Sequence, residues 1–209
     1  MNGFIYKYFD KLIQVLLYTN IVIFFKHIGV KIAKSKGKNT PKEFIPYANF
    51  AIDIYQIFKW GILVLFWSFG TTNGFSKYMI YYLIYSNLFI YFYYHVWGSK
   101  HAQRTDRATL NRKLLNYLLA ISFYLACYAY LYQFHFSEMI KWPDNLIDVT
   151  NAIYLSVANA FTLTYGGFSP LTQEARVIFM SELMNTFLFF TIIVSNSVPN
   201  HTGDKNNEL

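Results

Sequence analysis

Apolar residues in this chain come in long runs, separated by short polar and basic stretches, with little strict alternation. That pattern predicts helices, most of them in lipid, and argues against half-exposed strands. In residues 4–33, Lys7, Asp10, Lys11, Gln14 and Tyr18 share one helical face opposite an apolar one. The uninterrupted apolar part, 12–25, is short of the ~20 residues that a crossing needs. An interfacial or re-entrant helix and a true span are both open for it. A polar loop follows at 34–46, punctuated by Gly37, Pro41 and Pro46. The run at 49–70 carries Asp53, Gln56 and Lys59 in its first half, expected at an interface or against other helices, and is wholly apolar in its second. A turn at 71–77 around Asn73 and Gly74 leads into 78–98, a tyrosine-rich segment without a charge that reads as a clean span. The basic stretch 99–113 precedes another span at 114–131. A loop at 132–148, in which Trp142, Pro143 and Asp144 read as a turn and helix-start signal, then leads to a final span at 177–194.

Composition agrees with this pattern. Apolar residues make up 55% of the chain, aromatics 21% and charged residues only 14%, a balance outside soluble norms. The expected fold class is an all-α membrane protein. A cleaved secretory signal is not expected, because no small-residue cleavage site follows the first apolar run. Cys127 is the only cysteine, which excludes a disulfide within the chain. The histidines show no ligand spacing, so no metal site is expected beyond permeant cations.

The net charge of +7 is unevenly placed. Residues 26–43 hold six lysines against one glutamate, and 100–113 hold five basic residues against one aspartate. The other loops offer only Lys77, and Lys141 among Glu138, Asp144 and Asp148. The positive-inside rule puts both basic loops in the cytoplasm. The expectation is a multi-pass protein of the cell's inner or plasma membrane, its C-terminus cytoplasmic and its 132–176 region external.

That region holds the most informative stretch, 154–176, YLSVANAFTLTYGGFSPLTQEAR. Gly166, Gly167 and Pro170 break it between two apolar runs. Non-helical backbone at membrane depth is tolerated only where protein buries it or it lines a water-filled cavity. Tyr154, Leu155 and Ser156, then Thr162, Leu163, Tyr165 and Gly166, then Pro170, fall in one register. Ala175, Arg176 and Glu182 follow it. This register resembles the pore loop of the potassium-channel superfamily, whose filter reads T-V-G-Y-G.

The resemblance covers 110–197 and divides the chain into an N-terminal membrane region (1–109), a pore domain (110–197) and a short tail (198–209) expected to be partly disordered. It implies an outer helix, pore helix, filter and inner helix per subunit, and a homotetramer, because a filter is a ring of carbonyls from several loops. It also implies a passive channel for K+ or Na+, with Thr162, Leu163, Thr164, Tyr165 and Gly166 lining the filter. Tyr154, Ser156, Asn159, Gly167 and Glu182 would support them. The sequence departs from the family at Asn159 and Phe161, which replace threonines, at Gly167, which replaces an aspartate, and at Thr164, which replaces a filter glycine. A β-branched residue resists the left-handed angles of such a position, so K+ is expected to be preferred, or only weakly preferred. Thr186 stands where the family often has a hinge glycine.

Glu182 is the only acid deep in a clear span. It either braces the pore helix or filter, or makes an ordinary helix–helix hydrogen bond; a carboxylate there must face the bundle and be paired. Phe189, Phe190 and Ile193 could form a constriction, or could simply pack. Lys31, Lys34, Lys36 and Lys38 with Arg104, Arg107, Arg112 and Lys113 either set topology and attract anionic lipid, or bind an anionic cytoplasmic ligand such as a nucleotide or oligonucleotide. No regular arginine spacing suggests voltage sensing, no sensor domain is expected, and no enzyme motif occurs. Two alternatives to a plain channel stand: a ligand-controlled depolarising effector resembling those of bacterial anti-phage systems, and a non-conducting structural membrane protein.

Overall fold

A computed structural model describes residues 3–97, 107–163 and 166–197. The chain is an all-α membrane protein. Its helices are α1 (Phe4–Tyr18), α2 (Ile21–Ser35), α3 (Pro41–Ser68), α4 (Gly74–Phe92), α5 (Arg107–Phe134), α6 (Val149–Ala160) and α7 (Gln173–Ser197), with a π-helical turn at Tyr93–Trp97. Among the described residues, three helical stretches are long and apolar enough by themselves to cross a membrane, Pro41–Ser68, Leu114–Phe134 and Gln173–Ile192, and the bent pair α1–α2 is so only if taken together. These correspond to the apolar runs expected at 49–70, 114–131 and 177–194.

The span expected at 78–98 does not join them. Five tyrosines, Ser86 and Asn87 keep α4 below the hydropathy of the other three. Its reason lies in packing: Ile80, Leu83, Ile84, Ser86, Asn87, Phe89 and Tyr91 are buried. A helix wrapped by protein does not need lipid-grade side chains, and its hydroxyls and amides find partners there. Tyr91 Oη donates to the Asn116 carbonyl at 2.8 Å, and Asn87 Nδ2 to the Ala120 carbonyl at 3.0 Å.

The N-terminal segment is two helices bent by 65° at Thr19 and Asn20. Asn20 is 1% exposed and caps α2, its Oδ1 accepting from Val22 N at 3.0 Å while its Nδ2 donates to the Ser86 carbonyl at 3.0 Å. Tyr82 Oη donates to the Thr19 carbonyl at 2.9 Å and accepts from Ile21 N at 3.1 Å. The broken backbone is thus satisfied by α4. Both arms also meet the π-helical turn that follows α4, where Trp97 Nε1 donates to Asp10 at 2.9 Å and Lys26 to Tyr94 Oη at 2.9 Å.

The loop expected at 34–46 is shorter than the sequence suggested. Glu43 Oε2 reaches back to Thr40 N at 3.1 Å, so α3 starts at Pro41 and continues through Pro46. At the opposite end, Trp67 Nε1 donates to Gln133 at 2.9 Å and Ser76 Oγ meets His135 Nε2 at 3.1 Å. These contacts put the 69–73 turn and the residues after α5 on one side, away from the lysine-rich α2–α3 loop.

Candidate functional site

The helix expected at the pore loop, α6, is only 12 residues long, about 18 Å at helical rise, too short to cross. Its start lies later than Trp142-Pro143-Asp144, which form a separate 3-10 turn at Pro143–Asn145 with left-handed φ at Asp144 and Asn145. The cap is Asp148, whose Oδ1 accepts from Asn151 N at 2.6 Å. Ala152, Leu155, Ser156 and Asn159 fall on one face at helical spacing and are buried against α5 and α7.

The C-terminal end of α6 closes in a Schellman motif. Leu163 N bonds the Ala158 carbonyl at 2.8 Å and Thr162 N the Asn159 carbonyl at 3.0 Å. The left-handed position in this motif belongs to Thr162, with φ +54°. Glycine normally fills it; a β-branched residue there carries about 1–2 kcal/mol of strain. Phe161, Thr162 and Leu163 are all exposed, so the negative end of the helix dipole opens onto a free surface. Thr164 and Tyr165, and with them the strain expected at Thr164, lie outside the described residues.

Beyond them the chain folds back. Gly166 and Gly167 have φ +41° and +104°. The Phe168 ring, buried, packs 5.5 Å from Trp142 and 5.9 Å from Tyr154. Short strands β1 (Ile140–Lys141) and β2 (Ser169–Pro170) pair antiparallel, and Leu171 N bonds the Met139 carbonyl at 2.8 Å. The descent to α6 and the exit from the loop are therefore tied together. Half-exposed Tyr154 sits beside Gly166, where a Cβ would come 3.7 Å from its hydroxyl oxygen.

Glu182 organises the other side of α6. It is fully buried on α7. Its Oε2 accepts from Tyr132 Oη at 2.6 Å and from Asn159 Nδ2 at 2.6 Å, and its Oε1 meets Ser156 Oγ. Asn159 Nδ2 also reaches the Phe179 carbonyl at 3.0 Å, and Ser156 Oγ the Leu125 carbonyl at 2.9 Å. One carboxylate thereby joins α5, α6 and α7. Of the residues expected to support a filter, Ser156, Asn159 and Glu182 lie together, while Gly167 stands apart beside Pro143.

Tyr132 was missed by sequence reasoning, which saw the tyrosines as interface and packing residues. It is the last of three at four-residue spacing on α5. Tyr124 Oη meets Thr186 Oγ1 at 2.8 Å; Tyr128 Oη meets Ser181 Oγ at 3.1 Å and accepts from Asn185 Nδ2 at 2.7 Å. The Y-x3-Y-x3-Y repeat facing S-E-x-x-N-T was the available signal.

The residues expected at a constriction diverge. Phe189 is 2% exposed, its ring stacked on Tyr124 at 5.0 Å and tilted against Tyr91 at 6.0 Å, and so packs inside the subunit. Phe190 is 45% exposed, with its ring 6.0 Å from that of Phe161 at the end of α6. The side chain of Ile193 lies outside the described residues. In the basic patch, Lys31, Lys34 and Lys36 are exposed, and Lys38 pairs with Glu43 at 3.5 Å. Arg107, Arg112 and Lys113 fall in the first two turns of α5, with side chains outside the description, as is Arg104 altogether. Among the described residues, no cluster of His, Cys, Asp or Glu suits a metal ion. Comparison with family models, curated proteins and solved structures yields no match for this chain.

Proposed function

We propose that the chain is a cation channel of the potassium-channel type, four copies of which present residues 162–166 to a shared axis. The observation that carries this reading is α6. It is a helix too short to cross, held between two membrane-crossing helices by a buried carboxylate, and it ends in exposed, non-helical backbone. Such a loop needs water or other protein around it at membrane depth. Its open carbonyls and negative dipole end suit a cation. The exposed apolar face of α6 and α7, including Ile153, Val177, Met180, Met184 and Phe187, supplies surface for neighbouring copies or lipid. In this reading the filter oxygens come from Thr162 to Gly166, and Phe190 is the better placed of the expected gate residues.

The experiment is a reversal-potential measurement on purified protein in planar bilayers under mixed Na+ and K+ gradients. A potential set by cations, with K+ preferred or weakly preferred, is expected. A potential that follows chloride, or silent bilayers containing protein shown to be tetrameric, overturns the proposal.

The exposed lysines of α2 and the α2–α3 loop favour a second reading, in which an anionic nucleotide or oligonucleotide controls the pore. Neutralising Arg104, Arg107, Arg112 and Lys113 should then abolish control and spare conduction. Unaltered regulation in that variant removes this reading.

A further inference from the structure

Helix α3 buries a basic side chain that has no acidic partner among the described residues. Lys59 lies in α3, at membrane depth, and is fully buried. Its Nζ donates to Asn87 Oδ1 at 2.7 Å and stands 4.4 Å from the centroid of Phe123 and 5.9 Å from that of Tyr55. Among the described residues no carboxylate forms an ion pair with it. One amide oxygen and two ring faces offset only part of the cost of burying an ammonium.

Beside Lys59 lies a cavity of about 180 Å³ lined by α2, α3, α4, the π-helical turn after it and α5. Lys26 is a second basic side chain in its wall, donating to the Tyr94 hydroxyl. Gln56 also lines it, and its buried Oε1 has no hydrogen-bond partner. The remaining wall mixes the amides Asn87 and Asn116 with apolar Val22, Ile52 and Ile90. None of the lining residues is acidic. Lys26, Ile52 and Ile90 are among its half-buried lining residues.

We propose that this cavity binds an anionic amphiphile, whose carboxylate or phosphate head meets Lys59 and Lys26 while its tail leaves past Ile52 and Ile90 into the bilayer. The volume, equivalent to about six waters at ~30 Å³ each, admits a head group and leaves the chains outside. The head supplies the missing negative charge in a low-dielectric site, where charge-assisted bonds are strong. Its occupancy bears on α5 and α7, because Asn87 and Tyr91 hold the Ala120 and Asn116 carbonyls of α5 and the Tyr91 ring packs on Phe189. The inference stands independently of whether the chain conducts.

The test is thermal unfolding of the full chain in phosphatidylcholine nanodiscs, with phosphatidylglycerol, oleate or inorganic phosphate added in separate arms. A saturable rise in midpoint with at least one amphiphile is expected. Lys59→Met should weaken its apparent affinity by about ten-fold or more, equivalent to ~1.4 kcal/mol. Protection by phosphatidylglycerol alone assigns a phosphate head, and by oleate alone a carboxylate. An unchanged response in Lys59→Met, or equal protection by inorganic phosphate, overturns the proposal. If Lys59→Met does not fold, Ile52→Trp narrows the cavity without touching a charge; it should lose the response, and keeping it overturns the site.

Discussion

At the scale of single residues, two side chains carry most of the energetic consequence. Thr162 holds a left-handed angle that glycine adopts freely. Thr162→Gly relieves about 1–2 kcal/mol of strain and costs about 0.5–1 kcal/mol in added chain entropy. The expected outcome is a protein up to about 1 kcal/mol more stable in detergent unfolding; under the proposed channel function, loss of the hydroxyl should also shift the reversal potential. Glu182 presents the opposite case, since each of its partners is buried. Glu182→Leu removes the acceptor of Tyr132 Oη and one of the acceptors of Asn159 Nδ2, and is expected to cost about 3 kcal/mol or more. Glu182→Gln keeps an acceptor and should cost less than half as much. Thermal unfolding of the two variants side by side checks the ordering.

At the scale of elements, helix contacts are decided by small residues and by regular polar ladders. Gly29 lets α2 approach α3 so closely that a Cβ would lie 2.6 Å from the Tyr47 carbonyl oxygen and 3.0 Å from Ala51 Cβ. Helix propensity favours alanine there by about 1 kcal/mol. A backbone carbonyl cannot swing aside, so the overlap wins: Gly29→Ala should destabilise by about 1–3 kcal/mol, measured as a lower melting temperature. Much of this level was readable in advance. The spans at α5 and α7 and the break at Gly166 and Gly167 follow from runs and punctuation in the chain. The polar loop at 34–46 was read too long because Pro46 looks like a breaker, whereas the Thr40–Glu43 cap had already started the helix. The clean span at 78–98 was read from the lack of charge, yet α4 is a protein-wrapped helix whose tyrosines bond to its neighbours.

At the scale of the whole molecule, the fold makes a claim about sides that is open to direct test. Lys34, beside the lysine-rich loop, and Glu138, after α5, are both exposed and lie at opposite ends of the bundle. Cys127, the only native thiol, is buried. Lys34→Cys and Glu138→Cys should therefore react with a membrane-impermeant maleimide from opposite faces of sealed vesicles, with little background. Labelling of both from one face would contradict the placement of the helices.

What the sequence determined by itself is what near neighbours decide. Long apolar runs form helices suited to lipid or a protein core, Gly166, Gly167 and Pro170 interrupt the helix between α6 and α7, and clustered lysines stay in water; each follows from side chains within a few turns of one another. The tertiary structure alone decided which helix face meets which. Tyr132 and Asn159 meet Glu182 across 50 and 23 residues of chain. Phe189 turns inward while its neighbour Phe190 stays exposed, and Lys59 ends buried without a carboxylate. Those outcomes depend on how helices far apart in the chain are rotated and packed, and spacing within one helix carries no record of its partner.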